Sequence, residues 1–404
     1  MSKGLDEKKK NLFTTLLIRY GEIGLKSTKV RRRLENILIN RIKKMLERKN
    51  ISYTSLKLLP TRGRIYLYTQ DLFSSAQELK KCFGIVSFSP AFQVSSEREL
   101  IREAALKLAE TSLKMNDSFA IRTKRSGQHP FTSQEISADI GAFILKNLAD
   151  RGISVDLTKP DQTIYIEIRD KNTYLFNKII YGAGGLPYGS QGNLISLLSG
   201  GIDSPIATWL MMKRGCNIIP LFCDLTPFTD DSVKNRVKQV VRNLFEYSPF
   251  KQITLYCTPH GIILRKIKEF IPPKFTCIFC KRLMYKIAEK LAKRFNAKGV
   301  VTGENLGQVA SQTLENLFVL NQSIKIPVFR PLIGLDKTEI IDLSRKIGLY
   351  QSSIMPATSC TAVPQYPETH GNLEKIIEIE VENKFQELVN EAFKAIREIK
   401  ISIL

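Results

Sequence analysis

Leu194-Ile195-Ser196-Leu197-Leu198-Ser199-Gly200-Gly201-Ile202-Asp203-Ser204 joins an apolar strand pattern to a glycine- and hydroxyl-bearing turn, and a helical pattern opens at Pro205. Backbone N–H groups freed by the glycines, two hydroxyls and a helix N-terminus can converge there on one phosphate or pyrophosphate. The lysine of a Walker loop is absent, so phosphoryl transfer of that type is not expected. An open crevice is expected at Gly200, and a neighbouring side chain across it would count against the reading. Downstream, strand and helix patterns alternate: Ile218–Asp224, then a helix from Ser232; Gln252–Cys257, then a helix from Gly261; Gly299–Thr302; Val328–Arg330, then a helix from Lys337. Such alternation predicts an α/β fold with a doubly wound parallel sheet, its ligands at the carboxyl ends of the strands.

Upstream the order changes. Leu16–Tyr20 reads as a strand, and Val30, Leu34, Ile37, Leu38, Ile42, Met45 and Leu46 recur at helical spacing. The cations between them, Arg31, Arg32, Arg33, Arg41, Lys43, Lys44 and Arg48, are expected on a solvated face. Strand patterns at Tyr53–Leu59 and Arg64–Tyr68 and a helix near Leu72–Cys82 complete a β-α-β-β-α order, which suits a small α+β, ferredoxin-like unit. A second α+β module is expected over about 83–178: strand Phe119–Arg125, carrying Arg122, Lys124 and Arg125; helix Gln134–Leu148, with Ile136, Ile140, Phe143 and Ile144 inward; and strand Thr163–Ile168. Tyr181–Ser190, rich in glycine, reads as a linker.

The chain of 404 residues holds 61 Lys+Arg against 39 Asp+Glu, a net charge of +22, and residues 1–190 carry 33 basic and 19 acidic side chains. A basic balance concentrated in the front half favours a nucleic-acid partner, with a membrane surface or a merely lysine-rich exterior as alternatives. No apolar run approaches the ~18 residues of a membrane span, and Lys8-Lys9-Lys10 precedes no signal-like stretch, so no membrane association and a cytoplasmic location are expected. Seven cysteines without regular spacing do not suggest a secreted disulfide framework.

Two further polar, glycine-bearing runs fall at strand ends: Gly303-Glu304-Asn305-Leu306-Gly307-Gln308-Val309-Ala310-Ser311-Gln312-Thr313, and Arg330-Pro331-Leu332-Ile333-Gly334-Leu335-Asp336-Lys337-Thr338-Glu339-Ile340. With Ser199–Ser204, and in this order, they closely resemble the catalytic PP-loop domain of the tRNA 4-thiouridine synthetase family. Tyr20-Gly-Glu-Ile-Gly-Leu-Lys26 resembles that family's ferredoxin-like start. Phe119–Arg125 with His129–Ile136 resembles its THUMP RNA-binding domain.

The resemblance implies three parts: a ferredoxin-like domain at 1–82, a THUMP domain at 83–180 and a PP-loop domain at 181–404. It implies ATP-dependent replacement of O4 by sulfur in uridine 8 of tRNA, with ATP and Mg²⁺ as cofactors and a homodimer as the assembly. Ser199, Gly200, Gly201 and Ser204 would bind pyrophosphate, and Asp203 would orient the triphosphate and Mg²⁺. Leu197, Leu198, Phe222 and Cys223 match positions that frame the adenosine. Lys281, Gly303 and Gln312 match further nucleotide contacts, and Lys337 lies in the motif needed for adenylation. Arg122, Lys124 and Arg125 are the expected RNA contacts. Two alternatives stand beside the enzyme: a non-catalytic tRNA-binding protein with a decayed ATP site, and a sulfur donor for thiamine biosynthesis.

Longer members of the family end in a rhodanese-like domain that supplies sulfur; here only a terminal helical pattern, Glu374–Ile399, is expected after the core, so sulfide or a persulfide carrier would be the sulfur donor. Cys360, in Thr358-Ser-Cys-Thr-Ala362, matches the catalytic-domain cysteine. Cys277-Ile-Phe-Cys280 opens a helical pattern beside Lys281 and Arg282, which predicts lowered thiol pKa values. Cys277, Cys280 and Cys360 resemble the ligand set of archaeal-type thiolases, in which three cysteines hold an iron–sulfur cluster with one iron open. A CxxC redox pair and a structural zinc are the competing readings. Cys82, Cys216 and Cys257 are expected in the core, and His129 and His370 in caps or loops.

Overall fold

The computed structural model describes residues 13–58 and 63–403, which divide between Gly185 and Leu186 into two compact units. The Lys8–Lys10 run and Leu59 lie outside the described residues. In the first unit the elements run β1 (Thr15–Tyr20), α1 (Thr28–Arg48), β2 (Ser55–Leu58), β3 (Arg64–Tyr68), α2 (Leu72–Lys81) and β4 (Ile85–Ser95). They continue as α3 (Arg98–Ser112), β5 (Ser118–Ser126), α4 (Ser133–Asn147), β6 (Ser154–Val155), β7 (Gln162–Arg169), β8 (Asn172–Phe176) and β9 (Ile180–Tyr181).

The strands lie in the order β2-β3-β1-β4-β8-β7-β5-β6, with β9 also on β4. Its first four, β2-β3-β1-β4, give the ferredoxin-like order, and β1 is buried nearly throughout, as a central strand covered on both faces must be. Strand β4 serves both halves of the unit: Ile85–Ala91 pairs with β1 and Phe92–Ser95 with β8. Helix α1 buries Leu34, Leu38, Ile42, Met45 and Leu46, the apolar stripe that its spacing predicts. Two expectations for that helix fail. Val30 is exposed, and Arg48 is buried, its guanidinium 2.5 Å from Glu78 on α2, because a carboxylate on the facing helix lets the cation leave water. Likewise Phe143 is only half-buried on α4, where Arg102 stacks on its ring.

The second unit runs β10 (Asn193–Leu197), α5 (Asp203–Lys213), β11 (Asn217–Cys223), α6 (Asp231–Leu244), β12 (Gln252–Thr258), α7 (His260–Phe270), α8 (Thr276–Arg294) and β13 (Val300–Val301). After these come α9 (Leu314–Asn321), β14 (Val328–Phe329), α10 (Lys337–Lys346), α11 (Tyr350–Ser353), α12 (Leu373–Glu382), α13 (Phe385–Lys394) and β15 (Arg397–Ser402). The sheet order is β14-β13-β10-β11-β12-β15, parallel except for β15. From β10 the chain builds outward through β11 and β12, then returns to lay β13 on the other side of β10. That reversal is a topological switch point, and the crevice beyond the carboxyl ends of β10 and β13 is where such sheets bind ligands.

Helix α8 fills the core beneath the sheet with Ile278, Phe279, Leu283, Ile287 and Leu291. The expected terminal helical run is corrected: helices occupy Leu373–Glu382 and Phe385–Lys394, and Arg397–Ser402 is an antiparallel edge strand on β12. Its Ile399 and Ile401 alternate with polar residues, a strand period that favours pairing over a further helical turn. Leu186 and Tyr188 of the glycine-rich linker are buried, and the Tyr188 hydroxyl accepts from the Ile218 N–H.

Candidate active site

The turn after β10 is held ready by its own hydroxyls. Ser199 N–H donates to Ser204 Oγ at 2.8 Å, the two hydroxyls lie 2.9 Å apart, and Gly201 N–H donates to Ser199 Oγ. Among the described residues no side chain caps the N-terminus of α5, so its first amides remain for a ligand. The end of β13 crosses close behind: a side-chain carbon on Gly303 would stand 2.5 Å from Ser204 N and 2.7 Å from Asp203 C, an approach open only to glycine. Gly200 is not open space, contrary to expectation. The stem of Arg236 from α6 lies on it, an approach that the missing Cβ allows, and brings a cation to the loop.

Charges converge from three strand ends. Lys337 Nζ lies 2.5 Å from Asp203 Oδ1, and Gln308 Nε2 donates to Asp203 Oδ2 at 2.9 Å. Lys281, on α8, meets Glu304 at 3.2 Å. Glu304 is buried and also accepts from Tyr285 (2.5 Å), Thr302 (3.1 Å) and Arg330 Nε (2.7 Å). Burial alone would raise its pKa, but Lys281, Arg330 and the hydrogen bonds hold the carboxyl below the usual range. Gln312 is buried, and its side-chain carbonyl accepts the Asn305 N–H at 3.3 Å, fixing the bend of the Gly303 run. Leu198 and Phe222 are buried, while Leu197 and Cys223 are partly exposed at the ends of β10 and β11.

Cys223, Cys280 and Cys360 pack against one core cluster. The Cys280 thiol is raised by burial first and then by Cys277 and Cys360, and Cys223 is raised by burial and then by Cys280 and Cys257. The expected lowering is therefore corrected. Burial pushes the Cys277 thiol up against the pull of Lys281, and Arg282 offers no help because it is committed to Glu380 at 2.6 Å and to the Val319 carbonyl. The segment bearing Cys360 is tied to the start of α6: Asp230 N–H donates to Thr358 Oγ1 and Thr358 N–H to Ser232 Oγ.

His260, overlooked in the sequence, is fully buried, with Nε2 3.5 Å from Cys280 Sγ and Nδ1 without a partner among the described residues; burial depresses its pKa to about 4. Among the described residues no three His, Cys, Asp or Glu side chains are arranged to hold a single metal ion. Cys82, Cys216 and Cys257 are buried, as expected of core thiols.

In the first unit Arg122, Lys124 and Arg125 are exposed on β5, beyond the Ser118–Phe119 stretch that β6 covers. Arg122 donates to the Leu157 carbonyl and Arg125 to that of His129. His129 stacks on Phe131 and His370 faces Glu315 from an exposed loop. No helix of the described residues is long and apolar enough to cross a membrane.

The geometry defines an α/β unit with a glycine- and hydroxyl-bearing turn at the switch point of its parallel sheet, preceded by an α+β unit, and comparison with known proteins gives the family. The Thiamine biosynthesis protein (ThiI) family matches residues 189–385, the THUMP domain 96–177 and the ThiI ferredoxin-like domain 15–89. A probable tRNA sulfurtransferase of Methanosarcina acetivorans is 39% identical, covering 96% of this chain and 93% of the relative. One from Caldanaerobacter subterraneus is also 39% identical, over 95% and 99%. A solved 4-thiouridine synthetase–RNA complex with bound ATP superposes with a TM-score of 0.85 at 32% identity, covering 96% of this chain and 100% of that one. The chain belongs to the ThiI family of tRNA sulfurtransferases.

Proposed function

We propose that this chain is an ATP-dependent tRNA sulfurtransferase that converts uridine 8 of tRNA to 4-thiouridine. The single observation carrying the reading is the meeting, at one switch point, of the pre-formed Ser199–Ser204 turn, the Asp203–Lys337 pair and the Lys281–Glu304–Arg330 cluster.

An amide-like carbonyl oxygen leaves poorly. In the reaction O4 attacks the α-phosphorus of ATP and pyrophosphate departs; a sulfur nucleophile then adds at C4, and AMP leaves with the oxygen. The α5 amides and Ser199, Gly200, Gly201 and Ser204 would hold the phosphates. Lys281 and Lys337 would offset charge as it develops on phosphorus, and Asp203 would orient the triphosphate with its Mg²⁺. Glu304 keeps Lys281 aimed. Leu197, Leu198, Phe222 and Cys223 would frame adenosine, and Gly303 and Gln312 would complete the nucleotide's walls.

For the sulfur, Cys277, Cys280 and Cys360 are read as iron–sulfur cluster ligands. What supports this is the choice of donors, three soft thiols near enough for Cys277 and Cys360 each to act on Cys280, where a single metal ion finds no three-ligand set among the described residues. Metal loading would displace the thiol protons. Such a cluster, when bound, supplies an open iron able to carry sulfide, the sulfur coming from sulfide or a persulfide carrier. We divide the chain as 1–82, 83–180 and 181–404, with the exposed cations Arg122, Lys124 and Arg125 contacting tRNA in the second part.

The test is tRNA-dependent release of pyrophosphate from ATP by purified chain, with iron and acid-labile sulfide assayed after anaerobic purification. Release that ignores tRNA contradicts the reading. Full thiolation without iron removes the cluster.

A further inference from the structure

Arg236 has no part in the reaction as read so far, yet it touches both halves of the site. Its stem lies on Gly200 so closely that a side-chain carbon there would stand 2.7 Å from Nε and 3.2 Å from Cγ. Its Nη1 donates to the Met355 carbonyl at 3.0 Å, at the head of the segment leading to Cys360. That segment is pinned to the same helix through Thr358 and Ser232. Nε is shut off from solvent and has no hydrogen-bond partner among the described residues. A shielded donor on a cation, left unpaired, is costly, and the group beside it is a turn built for phosphate.

We propose that Arg236 is a further contact to the nucleotide phosphates, one that also holds the Met355–Cys360 segment and so ties the sulfur-bearing side of the site to nucleotide occupancy. This rests on the reading of Ser199–Ser204 as the nucleotide turn. Lysine cannot reproduce it in full, because a point charge cannot donate to phosphate and to the Met355 carbonyl in the fixed geometry of a guanidinium.

Binding of a non-hydrolysable ATP analogue and of adenosine is measured on the whole chain for wild type, Arg236→Ala and Arg236→Lys, with thermal melts to check folding. Alkylation of Cys360 by iodoacetamide is followed by mass spectrometry with and without the analogue. Losing one charge-assisted contact weakens the analogue about 10-fold or more in Arg236→Ala, with adenosine unchanged and Arg236→Lys between. The analogue changes Cys360 alkylation in wild type and not in Arg236→Ala. Folded Arg236→Ala that binds the analogue within twofold of wild type overturns the proposal. A wild-type chain that binds neither ligand overturns the nucleotide reading itself, and the wild-type measurement tells the two failures apart.

Discussion

The ammonium of Lys337 lies 2.5 Å from the carboxylate of Asp203, joining residues from the first turn of α10 and the first turn of α5. A lysine at a helix start opposes the helix dipole, and this pair is partly open to solvent, so stability does not explain it. Lys337→Met is therefore expected to melt within about 0.5 kcal/mol of wild type. It should also lose about 100-fold or more of tRNA-dependent AMP formation. Calorimetry with a pyrophosphate assay checks both; a large loss of stability with activity kept would mark a structural ion pair instead.

Gly303 carries the second prediction. A methyl group there meets backbone atoms of Asp203 and Ser204, which cannot swing aside as a side-chain tip can. Gly303→Ala should cost about 1–3 kcal/mol and displace the turn from ATP. Gly334→Ala is the control: its added carbon meets nothing within 4 Å, and its melting and ATP binding should not move.

Glu304→Gln removes the one carboxylate shared by Lys281 and Arg330 in a buried setting. Leaving cations unbalanced costs about 3–5 kcal/mol, and Lys281 loses its aim. Urea titration and AMP formation should both fall. An active, stable variant would exclude the positioning role.

Glu167, in the first unit, is buried among Arg19, Arg64 and Arg169 at 3.0–3.1 Å. Burial would raise its pKa, but Arg64 and Arg19 outweigh it and hold the carboxyl at about 2 against an ordinary 4.5. A depressed folded pKa stabilises fully above about pH 4.5, and that contribution is lost as pH falls toward 2. Urea titrations of the whole chain between pH 6 and 2 should show a shallower acid loss in Glu167→Gln, which starts less stable at neutral pH. Equal slopes would contradict the assignment.

The sheet core was readable because β10, β11 and β12 are short apolar runs followed by helix signals, and the turn at Ser199–Ser204 sits where their period breaks. The edge strand β15 was not. Its pairing with β12 spans some 150 residues, and Ile396, Ile399 and Ile401 follow helices without a turn signal. Partners met only in space were equally hidden. Tyr285 and Arg330 reach Glu304 from 19 and 26 positions away, and His260 meets Cys280 across 20. Neighbouring cations predicted acidic thiols at Cys277 and Cys280. The fold packs Cys280 against the α8 core, half-buries Cys277 and turns Arg282 toward Glu380, so desolvation wins.

The most direct measurement is sulfur transfer itself: purified chain, an unmodified tRNA transcript, ATP with Mg²⁺ and sulfide, kept free of oxygen, with the nucleosides read by mass spectrometry. The account predicts 4-thiouridine at position 8 in proportion to AMP formed, and none with Asp203→Asn. A transcript that stays unthiolated while ATP is bound and the chain is folded and iron-loaded would contradict it.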